Sequence, residues 1–303
     1  MVMPARGVAI FMQPSMWTSY LYSEWLPRDM ALEFARHGWQ TLELSDEHAH
    51  DLFKEGDPLR VGGQFRAFAA DHGVSFPQGH FYLCTSGCRP GDGEHIQADI
   101  APADPAKFEA AMDVMRRWVD LFNALGVKAG VLHAGGDGLR AAGWEEKRIF
   151  ARRVEAVRRV AEYARGGPTV ICLENLCPGS GITEAAELIR IADATGADNV
   201  GLCLDTGHAN MSGVDSASFI RQAGSKLQAL HIADNLGSND DHMLPYGRGT
   251  VKWADVMKAL REIAYHGLFN FEVPGESDCP KPVLMAKLDY ALQLAKWMVA
   301  YDG

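Results

Sequence analysis

The sequence predicts an α/β protein of the (β/α)8 barrel class, and three observations carry that reading. Short apolar, β-branched-rich runs alternate with longer stretches of helical period. Glycine recurs where a helical stretch gives way to the next apolar run. Histidine, aspartate and glutamate recur at the carboxyl ends of those runs, where barrel strands converge on one mouth. A chain of 303 residues is long enough for one such barrel spanning 1–303, and 47% hydrophobic with 22% charged residues suits a large packed core.

In chain order, strands are expected at 7–12, 40–45, 74–80, 129–134, 169–175, 200–206, 228–234 and 269–274. Helices are expected near 28–37, 58–72, 105–125, 144–165, 183–195, 215–224, 253–265 and 281–300. The junctions ARHGWQ, ADHGVS, ALGVKA, ARGGPT and AYHGLF each place glycine at a helix end, and His37, His72 and His266 fall in last turns, where imidazole suits the helix dipole. Such alternation requires parallel strands with right-handed crossovers, and eight units close into a barrel. A doubly wound open sheet is the runner-up, but neither GxGxxG after the first strand nor GxxxxGK[ST] occurs. Residues 83–104 form the longest irregular stretch, on the catalytic face, and read as a lid or specificity element.

The net charge of −10, from 39 acidic and 29 basic residues, argues against a long polyanionic partner. The densest basic cluster, Lys147, Arg148, Arg152, Arg153, Arg158 and Arg159, is interleaved with glutamates at helical spacing and reads as a solvated helix face. The six cysteines, at 84, 88, 172, 177, 203 and 279, form no CxxC pair and no disulfide framework. Cys172 and Cys203 lie in apolar runs and read as small buried hydrophobes. Neither a signal peptide nor a bilayer-length apolar segment is evident, so a cytoplasmic protein is expected.

The chemistry-bearing residues sit at strand ends. They are His80, His133 (VLHAGG), Glu174 (ICLEN), Asp205 and His208 (LCLDTGH), His231 (ALHIADN) and Glu272 (NFEVP), with Asp240 and His242 in the loop NDDHMLPYGRG. Each alone is unremarkable. Nine such groups crowded at one mouth would suffer desolvation and repulsion unless cations compensated them. Mixed imidazole and carboxylate donors favour zinc, manganese, iron or cobalt over magnesium.

At these residues the sequence resembles the xylose isomerase-like barrels, a superfamily of sugar isomerases, sugar epimerases and DNA-repair enzymes of the endonuclease IV type. ICLEN, LCLDTGHAN, LHIADN and FEVPGE carry the resemblance through the second half, and His80 and His133 carry it in the first. It implies that Glu174, Asp205, His231 and Glu272 form the four-ligand metal site of the isomerases and epimerases. It also implies further ions on His80, His133 and Glu174, and on His208, Asp240 and His242, with Asp241 as an alternative to Asp240. One to three divalent ions are therefore expected, zinc or manganese foremost.

Two departures matter. The basic surface of a repair nuclease is missing, and Leu236-Gly237 stand where tagatose-type epimerases carry an arginine; Arg248 is a candidate replacement. The leading expectation is metal-dependent sugar or sugar-phosphate isomerisation or epimerisation through an enediolate. Glu174 and Glu272 would transfer the proton, His208 would orient a substrate oxygen, and Trp17, Glu43 and Arg248 would border the substrate. The alternative is a multinuclear zinc hydrolase acting on a small phosphoester. A barrel that only binds a sugar or metal is the third reading. The expected partner is a carbohydrate-like small molecule, with homo-oligomerisation left open and nucleic acid and membrane disfavoured.

Overall fold

The computed structural model describes residues 12–179, 181–275 and 278–301. Its strands are β1 Gln13–Trp17, β2 Thr41–Leu44, β3 Ser75–His80, β4 Ala129–Leu132, β5 Val170–Glu174, β6 Val200–Asp205, β7 Leu227–His231 and β8 Leu268–Phe271. Its helices are α1 Pro27–Arg36, α2 Asp46–Lys54, α3 Pro58–Asp71, α4 Pro105–Leu125, α5 Glu146–Ala164, α6 Ala185–Thr195, α7 Thr206–Met211, α8 Ser216–Ala223, α9 Trp253–Glu262 and α10 Lys281–Ala300. The strands run parallel in the order β7-β6-β5-β4-β3-β2-β1-β8. The seam between β7 and β8 is bridged at Ile232 and Phe271, where Ile232 N donates to Asn270 O (2.8 Å) and Glu272 N donates to Ile232 O (3.2 Å). The chain is thus the eight-stranded barrel that the alternation predicts.

Two apolar layers result. The larger one lies between strands and helices, with Phe34, Trp39, Phe65, Trp118, Phe122 and Phe219 among its buried side chains. The smaller one fills the barrel interior with Ala129, Val131, Cys172, Cys203 and Ala229. Cys172 and Cys203 are therefore the small buried hydrophobes expected of them. Among the described residues, no helix is long and apolar enough to cross a membrane.

Several elements differ from expectation. The first strand is Gln13–Trp17, not 7–12, and residues 7–11 lie outside the described residues. Gln13, Pro14 and Ser15 hide this strand from an apolar-run reading, yet pairing with β2 and β8 fixes its register. Helices α2 and α7 were not anticipated. Ser45 caps α2 by accepting from His48 N, and Asp46 and Glu47 occupy its first turn, both favourable to a helix start. Gly38, Gly73, Gly126 and Gly166 adopt positive φ as expected, but Gly267 does not; Ala264 takes φ 53° in its junction instead. A β-carbon at Gly267 would collide with the Tyr265 hydroxyl, so that glycine serves packing.

The basic helix face is also only partly solvated. Lys147, Arg148 and Arg158 are exposed, and Arg159 pairs with both carboxylate oxygens of Glu109 (2.6 and 2.7 Å). Arg153 is buried, donating to Gly135 O at 2.8 Å and lying 3.3 Å from Asp137. It pins the chain just after β4, which a charge count along the helix does not reveal. The 83–104 segment carries a short antiparallel pairing, Thr85 N to Ile96 O and Ala98 N to Leu83 O (both 2.8 Å), and His50 Nε2 on α2 donates to Cys84 O (3.0 Å).

His48 ties α2 to the loop after β1. Its Nδ1 lies 3.2 Å from Ser45 Oγ and 3.1 Å from Thr18 Oγ1, and its Nε2 lies 3.2 Å from Trp25 O. Burial lowers its pKa from 6.5 to about 4. The folded protein keeps this imidazole neutral where the unfolded chain would protonate it. Its contribution to stability is therefore complete above pH 6.5 and is lost as pH falls from there through 4. We expect thermal stability to decline across that window and His48→Gln to flatten the slope. A variant with the wild-type slope would show that His48 does not set it.

Candidate metal centre

The site grows from the backbone. Each barrel strand delivers its last side chains to the same mouth, and the local hydrogen bonds decide which atom of each faces inward. Glu174, at the end of β5, is 1% exposed. Its Oε2 faces His133 Nε2 (3.0 Å) and His80 Nε2 (3.5 Å), whereas its Oε1 faces His231 Nδ1 (2.9 Å). One carboxylate therefore links two clusters.

The first cluster is His80, His133 and Glu174, and the second is Glu174, Asp205, His231 and Glu272; within each, the ligand atoms lie within 4.8 Å of one another. In the third, Cys177, His208 and Asp240 bring their ligand atoms equally close, within 4.8 Å of one another. His242 reaches the third cluster through Asp240 Oδ2, 3.1 Å from its Nε2. The nine donors read from the sequence thus converge, and Cys177 joins them. Asp240, and not Asp241, turns its carboxylate to the histidines.

The tautomers follow from geometry. A backbone carbonyl can only accept, so the ring nitrogen beside it carries the proton. His80 Nδ1 donates to Phe81 O (2.8 Å), His208 Nδ1 to Asn175 O (2.9 Å) and His242 Nδ1 to Glu272 O (2.8 Å). All three leave Nε2 to face the donor clusters. His231 is turned the other way. Its Nε2 meets Glu43 Oε1 (2.9 Å), so Nδ1 faces Glu174 and, at 3.2 Å, Glu272. Such outer partners fix ring orientation and raise ligand basicity at metal sites.

Glu43 was expected to border the substrate. Instead it is fully buried behind His231, and its other oxygen takes a short hydrogen bond from Asn270 Nδ2. Trp17 is the last residue of β1 and stacks on His242, with centroids 6.5 Å apart and planes 23° apart. Arg248 is exposed and makes no hydrogen bond or ion pair with the described residues.

Two further residues shape the mouth. Asn175 pairs with the Asp205 backbone in both directions (2.8 and 2.9 Å), locking the ends of β5 and β6. Asp234 accepts from Trp253 Nε1 (2.7 Å), Asn235 N (2.9 Å) and Val251 N (3.0 Å), and a β-carbon at Gly249 would occupy the space of its carboxylate. The spelling GTVKW is the sequence trace of that second anchor.

Do these donors fit a cation? Asp205 Oδ1 caps α7 by accepting from His208 N (2.6 Å), which leaves its Oδ2 free. Both Asp205 Oδ2 and Glu272 Oε2 are buried without a hydrogen-bond partner, a costly condition for carboxylate oxygens. Burial, reinforced by Glu272, pushes the Asp205 carboxyl well above its usual range despite the opposing His208. Burial alone would lower His231, but Cys203, Glu272, Glu43 and Glu174 together hold it well above its usual value. A divalent cation between these groups would satisfy the two orphaned oxygens and the crowded charge together, so the donor set fits. A cavity of about 410 Å³ lies at the opposite end of the barrel, lined in part by Gln13, Gln78, Gln228 and Tyr265. It contains none of these donors.

Residues 32–301 match the family model described as the xylose isomerase-like TIM barrel. An L-ribulose 3-epimerase of Mesorhizobium japonicum is 31% identical over 188 residues, which cover 60% of this chain and 59% of that protein. A D-psicose 3-epimerase of Enterocloster bolteae is 26% identical over 240 residues, covering 76% and 71%. A crystal structure of D-psicose 3-epimerase in the presence of D-fructose superposes with TM-score 0.74 at 18% identity, covering 96% of this chain and all of that one, which is a likeness of fold. With eight parallel strands, a donor-lined mouth and a family match along most of its length, the chain belongs to the xylose isomerase-like TIM-barrel family.

Proposed function

We propose that this protein is a sugar isomerase/epimerase-like enzyme that moves a proton at a carbon beside a carbonyl, through an enediolate of a ketose or related hydroxy-carbonyl sugar. The observation that carries this reading is the placement of Glu174, at the end of β5, and Glu272, just past β8, against one ring nitrogen of His231, Nδ1, at 2.9 and 3.2 Å. The epimerase relatives support it.

Glu174, Asp205, His231 and Glu272 would hold a divalent ion, zinc or manganese by donor chemistry. Such an ion supplies Lewis-acid polarisation of adjacent carbonyl and hydroxyl oxygens. One glutamate takes the proton from carbon and the other returns one to the opposite face. Burial alone would raise both carboxyls, but the charge of His231 and its hydrogen bonding to Glu174 and Glu272 outweigh it and keep both below their usual range, Glu272 at about 2, so both are available as bases. His208, its Nδ1 held by Asn175 O, turns Nε2 to the mouth and orients a substrate oxygen when no outer ion is bound there, and Trp17 closes one wall beside His242. Arg248 stands as an exposed cation for a phosphate or hydroxyl of the substrate.

A second reading, a multinuclear hydrolase of small phosphoesters, is favoured by one observation. The Cys177, His208 and Asp240 cluster adds donors that a single-ion isomerase site does not need. Incubation with ketoses in deuterated water separates the two. We expect exchange at a carbon-bound hydrogen, reduced at least about 100-fold by Glu174→Gln or Glu272→Gln, the typical range for lost acid–base groups. No exchange with any sugar, together with phosphodiester cleavage that His242→Ala abolishes, would establish the hydrolase instead.

Glu43 supplies a separate check. Removing its carboxylate strips His231 Nε2 of its acceptor, and Glu43→Ala should weaken metal binding by roughly 10–100-fold. Competition with a chromophoric chelator measures this. An unchanged affinity would reduce Glu43 to barrel filling.

A further inference from the structure

We propose that Cys177 is a metal ligand, making the outer cluster of the mouth a thiolate-containing site distinct in softness from the two inner ones. The inference rests on the reading that the mouth holds divalent ions, and it adds a residue that neither the strand-end pattern nor the resemblance supplies.

Cys177 lies three residues beyond Glu174, in the turn after β5. Leu176 N donates to Ile182 O at 2.8 Å, closing that turn and holding position 177 at the mouth. Its Sγ, a His208 ring nitrogen and an Asp240 oxygen lie within 4.8 Å of one another. The same short segment sets two of the three donors. Asn175 O takes the Nδ1 proton of His208, so the Nε2 lone pair points to Asp240 Oδ2, 3.2 Å away. His242 Nε2 lies 3.1 Å from that same oxygen, so two imidazoles, a carboxylate and a thiol gather there.

The other cysteines are placed differently. Cys172 and Cys203 are sealed among apolar side chains inside the barrel. Cys88 Sγ is 3.4 Å from His95 Nδ1, but both residues are exposed on the 83–104 segment. Cys177 is half-buried and meets Met211 Sδ at 3.8 Å. The Met211 thioether thus packs against one side of the sulfur.

Thiolate with imidazole and carboxylate is a donor set for zinc or cobalt, whereas the inner carboxylate-rich group also suits manganese. Binding requires the thiol proton to leave, and it departs to solvent as the metal–sulfur bond forms.

Cobalt(II) alone tests this, added to the full-length protein after chelation. We expect a near-ultraviolet thiolate-to-cobalt charge-transfer band together with visible ligand-field bands. Cys177→Ser should abolish the former, retain the latter and bind one equivalent fewer. Cys177→Asp should restore the equivalent without the charge-transfer band, and Cys88→Ser should leave the wild-type spectrum intact. Ligand-field bands without charge transfer in the wild type would overturn the thiolate assignment while leaving the mouth a metal site. A charge-transfer band lost in Cys88→Ser would place the sulfur elsewhere and overturn it equally, even if Cys177→Ser failed to fold. Absence of both bands would overturn the metal reading on which the proposal stands.

Discussion

The shared carboxylate of Glu174 is the interaction on which the mouth depends. It is buried at the end of a central strand, and each of its oxygens serves a different cluster. Removing one partner of a buried charge set typically costs on the order of 3–5 kcal/mol, because the others are left uncompensated. His80, His133 and His231 would all lose their acceptor together. The position is therefore constrained from two sides, and the rest of the mouth is arranged around it.

That constraint explains the outer partners. His231 can offer Nδ1 to the cluster only if its Nε2 proton has somewhere to go, and Glu43, held in turn by Asn270, provides it from inside the barrel. Polar groups in a barrel interior would normally weaken the core. Here they form a chain from β2 and β8 to β7, so the interior below the mouth is a rigid support for one imidazole.

Much of this was legible in the sequence. The strand-end positions of His80, Glu174, Asp205, His231 and Glu272 follow from hydrophobic runs and barrel geometry, because every strand end reaches the same place. What escaped reading depends on direction and not on position. Glu43 has the residue type of a pocket wall, but β-strand alternation turns it inward, and only β7 reveals what it meets. Cys177 and Asn175 lie in a turn whose shape is set by one backbone hydrogen bond between residues 176 and 182. The first strand was obscured by Pro14 and Ser15, since pairing with two neighbours selects it and hydrophobicity does not. Arg153 looked like one of a basic row until the turn after β4 supplied it with a carbonyl.

The inner and outer donors also differ in what holds them. Glu174 and Asp205 end strands paired on both sides, His231 ends a strand paired with β6 and bridged to β8 just beyond it at Ile232, and Glu272 follows β8 directly, so their positions are fixed by the barrel. Asp240 and His242 lie in a long loop, and His242 adopts φ 45°, a conformation that costs a non-glycine residue on the order of 1 kcal/mol or more. The bond from its Nδ1 to Glu272 O and its stacking on Trp17 offset that cost. Those two contacts tie the loop to the neighbouring strands β8 and β1. A loop held in a strained conformation by two side-chain contacts can give way more readily than strand ends fixed by barrel pairing, so Asp240 and His242 are the donors of this mouth with most freedom to adjust.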